Sequence, residues 1–247
     1  MFQACVVIPV YNHEHAIDAV VEGALDSGLH CVLVDDGSSP PCAQALVRLA
    51  AAHAERVSLV VHAANRGKGH AVLSGLAHAA RLGYSHAVQI DADGQHKVAD
   101  IGRFVEHARA EPRAMIVGQP QYDESVPKGR LYSRYLTHVW VWINTLSLDI
   151  HDSMCGFRVY PIAPVLALAQ RVKLGSRMDF DTEVLVRLHW SGMKMVNLLT
   201  PVRYPVDGVS HFRMVMDNVL ISRMHTVLFF GMLARLPQLL WRRWRPA

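Results

Sequence analysis

The stretch His86-Ala87-Val88-Gln89-Ile90-Asp91-Ala92-Asp93-Gly94-Gln95 turns from mostly apolar to acidic in a single step. Residues 86–90 have the composition of a short buried strand, and two carboxylates follow at once. The same event recurs on both sides of it. Residues 5–10 are apolar and lead into Tyr11-Asn12. Residues 31–34 lead into Asp35-Asp36-Gly37-Ser38, and residues 57–62 into Asn65-Arg66-Gly67-Lys68-Gly69. A fifth apolar run covers 115–118. Helical patterns fill the gaps, over 17–25, 43–54, 71–82 and 98–109. Strand and helix alternating at this spacing predict a mostly parallel sheet with helices on both faces. In such sheets ligands bind beyond the carboxyl ends of the strands, so the polar residues after each strand form the candidate site.

Residues two apart in an extended segment share a face, so Asp91 and Asp93 can point at one spot. Two bare carboxylates there repel unless a divalent cation lies between them. Oxygen ligands suit Mg²⁺ or Mn²⁺, ions that normally bridge to phosphate oxygens. A D-x-D tripeptide is also common in plain turns. An EF-hand is excluded, because its sixth position would be His96 and its twelfth Gly102. In Gly67-Lys68-Gly69 the glycines let backbone N–H groups approach an anion at a helix start, and Lys68 adds a cation for a diphosphate. A turn with solvated charges is the other reading. Neither a P-loop nor a dinucleotide fingerprint is present, since the third glycine of the latter would fall at Val72. Asp36 either caps the next helix or accepts hydrogen bonds from a nucleoside.

Composition narrows the classes further. The chain has 247 residues, enough for one large domain with some left over, and 51% of them are hydrophobic. The formal charge of +4 is a mild excess, and no nucleic-acid partner is expected. Cys5, Cys31, Cys42 and Cys155 form no C-x-x-C pair and suit a reducing compartment. The 15 histidines include no H-E-x-x-H, so zinc is set aside, and no G-x-S-x-G elbow occurs. Residues 5–10 lack the basic flank of a signal peptide, so a cytoplasmic location is expected.

The ordered motifs Pro9-Val10-Tyr11-Asn12, Asp35-Asp36-Gly37-Ser38, Asn65-Arg66-Gly67-Lys68-Gly69 and Asp91-Ala92-Asp93-Gly94-Gln95 resemble family 2 glycosyltransferases of the GT-A fold. Asp91 to His96, Asp152-Ser153-Met154-Cys155-Gly156-Phe157-Arg158 and Phe180-Asp181-Thr182-Glu183 resemble the dolichyl- or polyprenyl-phosphate sugar synthase branch. The likeness covers roughly residues 5–211. It implies a Rossmann-like GT-A domain and an inverting, metal-dependent transfer of a hexosyl group. The donor would be a UDP- or GDP-linked sugar and the acceptor a lipid-like molecule. Pro9, Tyr11, Asn12 and Asp36 would then line the nucleoside pocket, with Lys68 near it. Asp91, Asp93 and Gln95 would hold the metal and the donor diphosphate, and Arg130, Ser133 and Arg134 would sit near an acceptor phosphate. A hydroxyl acceptor would need a base, for which Asp181 or Glu183 is the candidate; a phosphate acceptor would need none. The chain departs from the branch in Gly118-Gln119-Pro120, which lacks an arginine, and in Gly208-Val209-Ser210-His211, where a histidine replaces a lysine. Arg203, His211 or Arg213 would take over phosphate contacts, and a lipid acceptor other than polyprenyl phosphate fits these departures. A non-catalytic nucleotide-sugar binder and, behind it, a dinucleotide-dependent oxidoreductase are the alternatives.

The division expected is a catalytic domain over 1–209 and an amphipathic segment over 210–247. Leu220, Met224, Val227, Leu228 and Gly231 fall on one helical face, with Asn218, Ser222, His225 and Thr226 largely opposite. Trp241, Arg242, Arg243, Trp244 and Arg245 place indoles beside positive charge. This predicts a peripheral enzyme on the cytoplasmic face of a membrane, with core packing or dimerisation as the other reading.

Overall fold

An interior strand of the sheet is β1 (Ala4–Val10), whose alternate residues feed two separate cores. Cys5 and Val7 join one apolar cluster, and Val6, Ile8 and Val10 the other, as the two-residue period of a strand dictates. The computed structural model describes residues 1–122, 128–203 and 213–244. Around β1 stand β2 (Cys31–Asp35), β3 (Val57–Val61), β4 (His86–Gln89), β5 (Met115–Tyr122), β6 (Arg158–Pro161) and β7 (Met195–Val202). Their order in the sheet is β3-β2-β1-β4-β6-β5-β7, and β6 alone runs antiparallel to its neighbours.

The helices are α1 (Ile17–Asp26), α2 (Pro40–Ala52), α3 (Lys68–Arg81), α4 (Ile101–Ala110), α5 (Lys128–Thr145), α6 (Ile162–Arg171), α7 (Phe180–Trp190), α8 (Met214–Leu233) and α9 (Leu236–Trp244). The buried residues of α1, α2 and α4 fill one core, and those of α3, α6, α7 and α8 the other. Close approach of α3 to the sheet depends on Gly75, where a Cβ would stand 2.4 Å from Val7 Cγ1. The mostly parallel, doubly covered sheet expected from the alternation is therefore present.

Strand β5 runs four residues beyond the expected 115–118, pairing in register with β7 up to Tyr122 and Val202. Pro120 is tolerated there for a geometric reason. Gly118 donates its N–H to Phe157 O on the β6 side, and the missing N–H of Pro120 falls two residues on, past the end of β6. The expected domain boundary at 209/210 lies outside the described residues.

The C-terminal helical segment is present, but its faces differ from the expected division. Asp217, Met224, His225, Leu228 and Met232 form the buried side of α8. His225 lies inside because Asn144 on α5 meets its Nδ1 at 3.3 Å and Trp140 packs against its ring. Val215, Val219, Val227 and Phe230 stay exposed, so apolar side chains appear on both sides. Among the described residues no single helix is long and apolar enough to cross a membrane; α8 and the start of α9 pass together only as a pair bent by 74°.

Candidate active site

The carboxyl end of β4 delivers Asp91 to the first residue of α3 and the second of α7. Lys68 Nζ lies 2.8 Å from Asp91 Oδ1 and 2.7 Å from Asp181 Oδ2, an ammonium clamped between two acids. Burial alone would raise the Asp91 carboxyl, but Lys68 and His96 outweigh it and hold Asp91 well below its usual range. Burial likewise acts to lower the Lys68 ammonium, and Asp181 and Asp91 together drive it upward instead. Gly156 makes room for this arrangement: a Cβ there would sit 2.1 Å from Asp91 Oδ2.

Asp93 stands differently. Its Oδ1 accepts the backbone N–H of Gln95 at 3.0 Å, closing a turn in which Gly94 has φ +71°. Burial first, and then the neighbouring Asp91 charge, push its carboxyl above the usual value. Its negative charge is under-compensated. Beside this pair His96 keeps its Nδ1 buried without a hydrogen-bond partner, while its Nε2 lies 3.8 Å from Asp91 Oδ2. Gln95 also accepts the backbone N–H of Arg203, which ties the acidic turn to the end of β7. Among the described residues no group of three or more His, Cys, Asp and Glu side chains forms a metal cage by itself. Asp91 and Asp93 are thus a partial, oxygen-only set.

The nucleoside candidates meet at the ends of β1 and β2. Asn12, at φ 54°, accepts the Ser39 N–H on its Oδ1 at 2.7 Å, and its own N–H donates to Ser38 Oγ. Pro9 is buried in β1 and Tyr11 is half-buried just beyond it. Asp36 is buried, and it accepts the N–H groups of Arg66 at 2.9 Å and Gly67 at 2.7 Å. It therefore anchors the loop that launches α3. The Gly69 N–H goes to Ser176 O at 2.9 Å, so these two glycine donors are spent on protein acceptors, and Lys68 is the cation the loop delivers to the acids.

Asp181 belongs to this constellation, and Glu183 does not. Glu183 accepts the Gly175 N–H at 2.7 Å and pairs with Arg187 at 2.7 Å, turned away from Asp91. The acceptor candidates also divide. Arg134 forms a two-pronged bond with Asp152, Nε and Nη2 each at 2.6 Å from a carboxylate oxygen. The Arg130 and Ser133 side chains and all of His211 lie outside the described residues.

Three roles were not visible in the sequence. Arg158 is fully buried and donates to the carbonyls of Cys155, Asp181 and Ser153 at 2.6, 2.6 and 2.7 Å, so it fastens the 152–158 loop to α7. Gly156 abuts Asp91. His62 bonds Asp36 at 2.7 Å. Only the Gly-Phe-Arg motif hinted at the first two; nothing marked His62.

The acid–ammonium–acid cluster lies at the carboxyl edge of the mostly parallel sheet, where open α/β sheets bind their ligands. Residues 5–165 match the family described as Glycosyl transferase family 2, and the chain belongs to that family. It is a glycosyltransferase. Polyprenol monophosphomannose synthase of Mycolicibacterium smegmatis is 29% identical over 169 residues, spanning 63% of this chain and 60% of that one. The UDP-N-acetylglucosamine–dolichyl-phosphate N-acetylglucosaminyltransferase of Methanococcus voltae is 24% identical, spanning 73% and 77%. The fold resembles that of glucosyl-3-phosphoglycerate synthase from Mycobacterium tuberculosis, with a TM-score of 0.63 at 16% identity over 94% of this chain and 80% of that one.

Proposed function

We propose that this enzyme moves a hexosyl group, with inversion, from a nucleotide diphosphate sugar to a phosphate borne on a lipid, with Mg²⁺ or Mn²⁺ held by Asp91 and Asp93. The carrying observation is the Asp91–Lys68–Asp181 clamp beside the under-compensated Asp93. The hard oxygen pair suits either ion, and the raised Asp93 carboxyl is a charge that a divalent cation would relieve. Gln95 joins the set through the family resemblance. Such a cation would supply neutralisation of the departing diphosphate, the main charge that develops in the reaction. Lys68 adds a second positive charge at the same edge, and Gly156 and Arg158 keep the acids in place. An acceptor oxygen forms its bond to the anomeric carbon as the sugar–phosphate bond breaks, and the nucleoside diphosphate leaves with the electron pair.

The surroundings of the two candidate bases support a phosphate acceptor. Asp181 is bound to Lys68 and lies 3.5 Å from Arg158, and Glu183 is bound to Arg187. Both carboxylates are committed to cations, whereas a hydroxyl acceptor would need a free one. A phosphate acceptor is already anionic and needs no base. The names of the two relatives above specify a polyprenol monophosphomannose product and a dolichyl-phosphate acceptor, which supports the same reading.

A lipid acceptor also suits the surface. Leu136 and Trp140 on α5, Val219 and Phe230 on α8 and Trp241 on α9 expose apolar area. We place the enzyme peripherally on the cytoplasmic face of a membrane. The test is transfer from UDP- and GDP-hexoses, with Mn²⁺, to undecaprenyl phosphate and to the corresponding free alcohol. The expected product forms on the phosphate only. Transfer to the alcohol alone would overturn the acceptor assignment.

A further inference from the structure

The geometry points to Arg177 as a positioning residue for Lys68, held in place by the buried Asp217 of α8, so that α8 sets how firmly the site grips the donor's diphosphate. The inference rests on the nucleotide-sugar reading and deepens it.

Residues 172–179 link α6 to α7 and lie across the start of α3. Ser176 O accepts the Gly69 N–H at 2.9 Å, and Gly67, at φ +95°, leaves no room for a Cβ against the same carbonyl. A Cβ on Gly69 would stand 2.6 Å from Gly175 O, and one on Gly67 would stand 3.2 Å from Arg177 Cγ. Both neighbours of Lys68 therefore rest on the 175–177 segment. Where that segment stands decides how Lys68 leaves the chain toward Asp91 and Asp181.

Three side chains hold the link. Glu183 of α7 accepts the Gly175 N–H at 2.7 Å, and Asp179, just before α7, accepts the Arg177 N–H at 3.0 Å. The third tie reaches another element: Arg177 Nε lies 3.4 Å from Asp217 Oδ1. Asp217 sits in the first turn of α8 and is fully buried, and its other oxygen accepts the Arg213 N–H at 2.7 Å. A buried carboxylate needs a counter-charge, and Arg177 supplies it. The contacts thus run from α8 through Asp217, Arg177 and Ser176 to the residues that flank Lys68. Without the Arg177 tie the link hangs on the α7 side alone, and Lys68 moves with it. The nucleoside candidates stand at the ends of β1 and β2, on the sheet itself, so the loss falls on the diphosphate end of the donor.

Calorimetry on the full chain with UDP and with GDP, each with Mn²⁺, gives the affinity for the diphosphate. Displacement by uridine and guanosine gives that of the nucleoside alone. Arg177→Ala is expected to weaken diphosphate binding about tenfold, the worth of one charge-assisted hydrogen bond, and to leave nucleoside binding within about twofold. Arg177→Lys, which still carries a charge to Asp217, recovers most of the affinity. In a Lys68→Ala background Arg177→Ala adds less than about twofold, because it acts through Lys68. An equal loss for nucleoside and diphosphate marks a merely structural contact and overturns the inference. A full further loss in the Lys68→Ala background overturns it too, since Arg177 would then touch the diphosphate itself. Where Arg177→Ala does not fold, the double substitution Arg177→Ala with Asp217→Asn, which leaves neither charge buried alone, carries the same comparison. Unchanged diphosphate affinity in the folded variant also overturns the inference and leaves the nucleotide-sugar reading standing. Binding of neither UDP nor GDP by the unaltered chain brings down that reading as well.

Discussion

Asp91 owes its position to a missing side chain. The Gly156 backbone fills the space beside its carboxylate, and even a methyl group would collide at 2.1 Å with Oδ2. Gly156→Ala therefore displaces Asp91 from Lys68 and from the proposed metal position while leaving both cores untouched. Misplacement of a reacting-site group by about 1 Å costs on the order of a hundredfold in rate. We expect that loss in turnover, with the circular dichroism spectrum and melting temperature little changed. Full turnover would show that Gly156 is spared for backbone reasons alone. At this scale the sequence was informative where chemistry and position coincide. Asp91, Lys68 and Asp181 were all marked as polar residues at strand or helix ends, and they meet. Glu183 has the same composition and spacing, yet one helical turn carries it to Arg187 and Gly175. The cation that claims Glu183 is its own i+4 neighbour on α7, a pairing that sequence spacing allows, whereas the Lys68 that claims Asp181 comes from α3. His62 was silent because its partners Asp36 and Ser74 are brought together only by the packing of α3 on the sheet.

Among the elements, α5 is tied to the loop that supports Asp91. Asp152 receives Arg134 from α5, lies 3.3 Å from His138 one turn on, and accepts the N–H groups of Met154 and Cys155. Helix α5 and the 152–158 loop thus share one buried carboxylate. Burial would raise that carboxyl, but the Arg134 guanidinium and His138 outweigh it and hold it well below its usual 3.8. A depressed folded value means the stabilisation is complete above pH 3.8 and is lost as pH falls toward the folded value. Asp152→Asn should lose about 3 kcal/mol at pH 7, because Arg134 is left buried without its counter-charge. Its melting temperature should also fall less than that of the unaltered protein between pH 4 and pH 2. Parallel melting curves for the two proteins would refute the pair's role. The elements most legible in the sequence were the first five strands and their helices, whose apolar period is clean. Strands β6 and β7 were not resolved. The first is four residues long and begins with a buried arginine, and in the second exposed positions such as Leu199 and Pro201 blur the alternation.

For the whole molecule, α7, which carries Asp181, packs against both α5 and α8, so the acids and the apolar α5–α8 surface share one core. The exposed Leu136, Trp140, Val219 and Phe230 lie on the helix pair whose buried sides pack on α7 and on each other. Arg235, exposed over the Trp190 ring, adds a positive charge on α8's C-terminal side, while Arg242 is half-buried with Nη1 on Trp190 O at 2.6 Å. The intact chain should float with anionic liposomes at low salt and less so as salt rises. Failure to float at low salt would assign the surface to an oligomer instead. The sequence announced the helix and its charge but misjudged its faces, because His225 finds Asn144 and Trp140 inside. The central claim is that sugar transfer runs on a divalent cation held by Asp91 and Asp93. Its most direct test is turnover of Asp93→Ala beside the unaltered enzyme, each with Mn²⁺ and with EDTA. The account predicts that the substitution and the chelator each abolish transfer; full activity of Asp93→Ala in EDTA would contradict it.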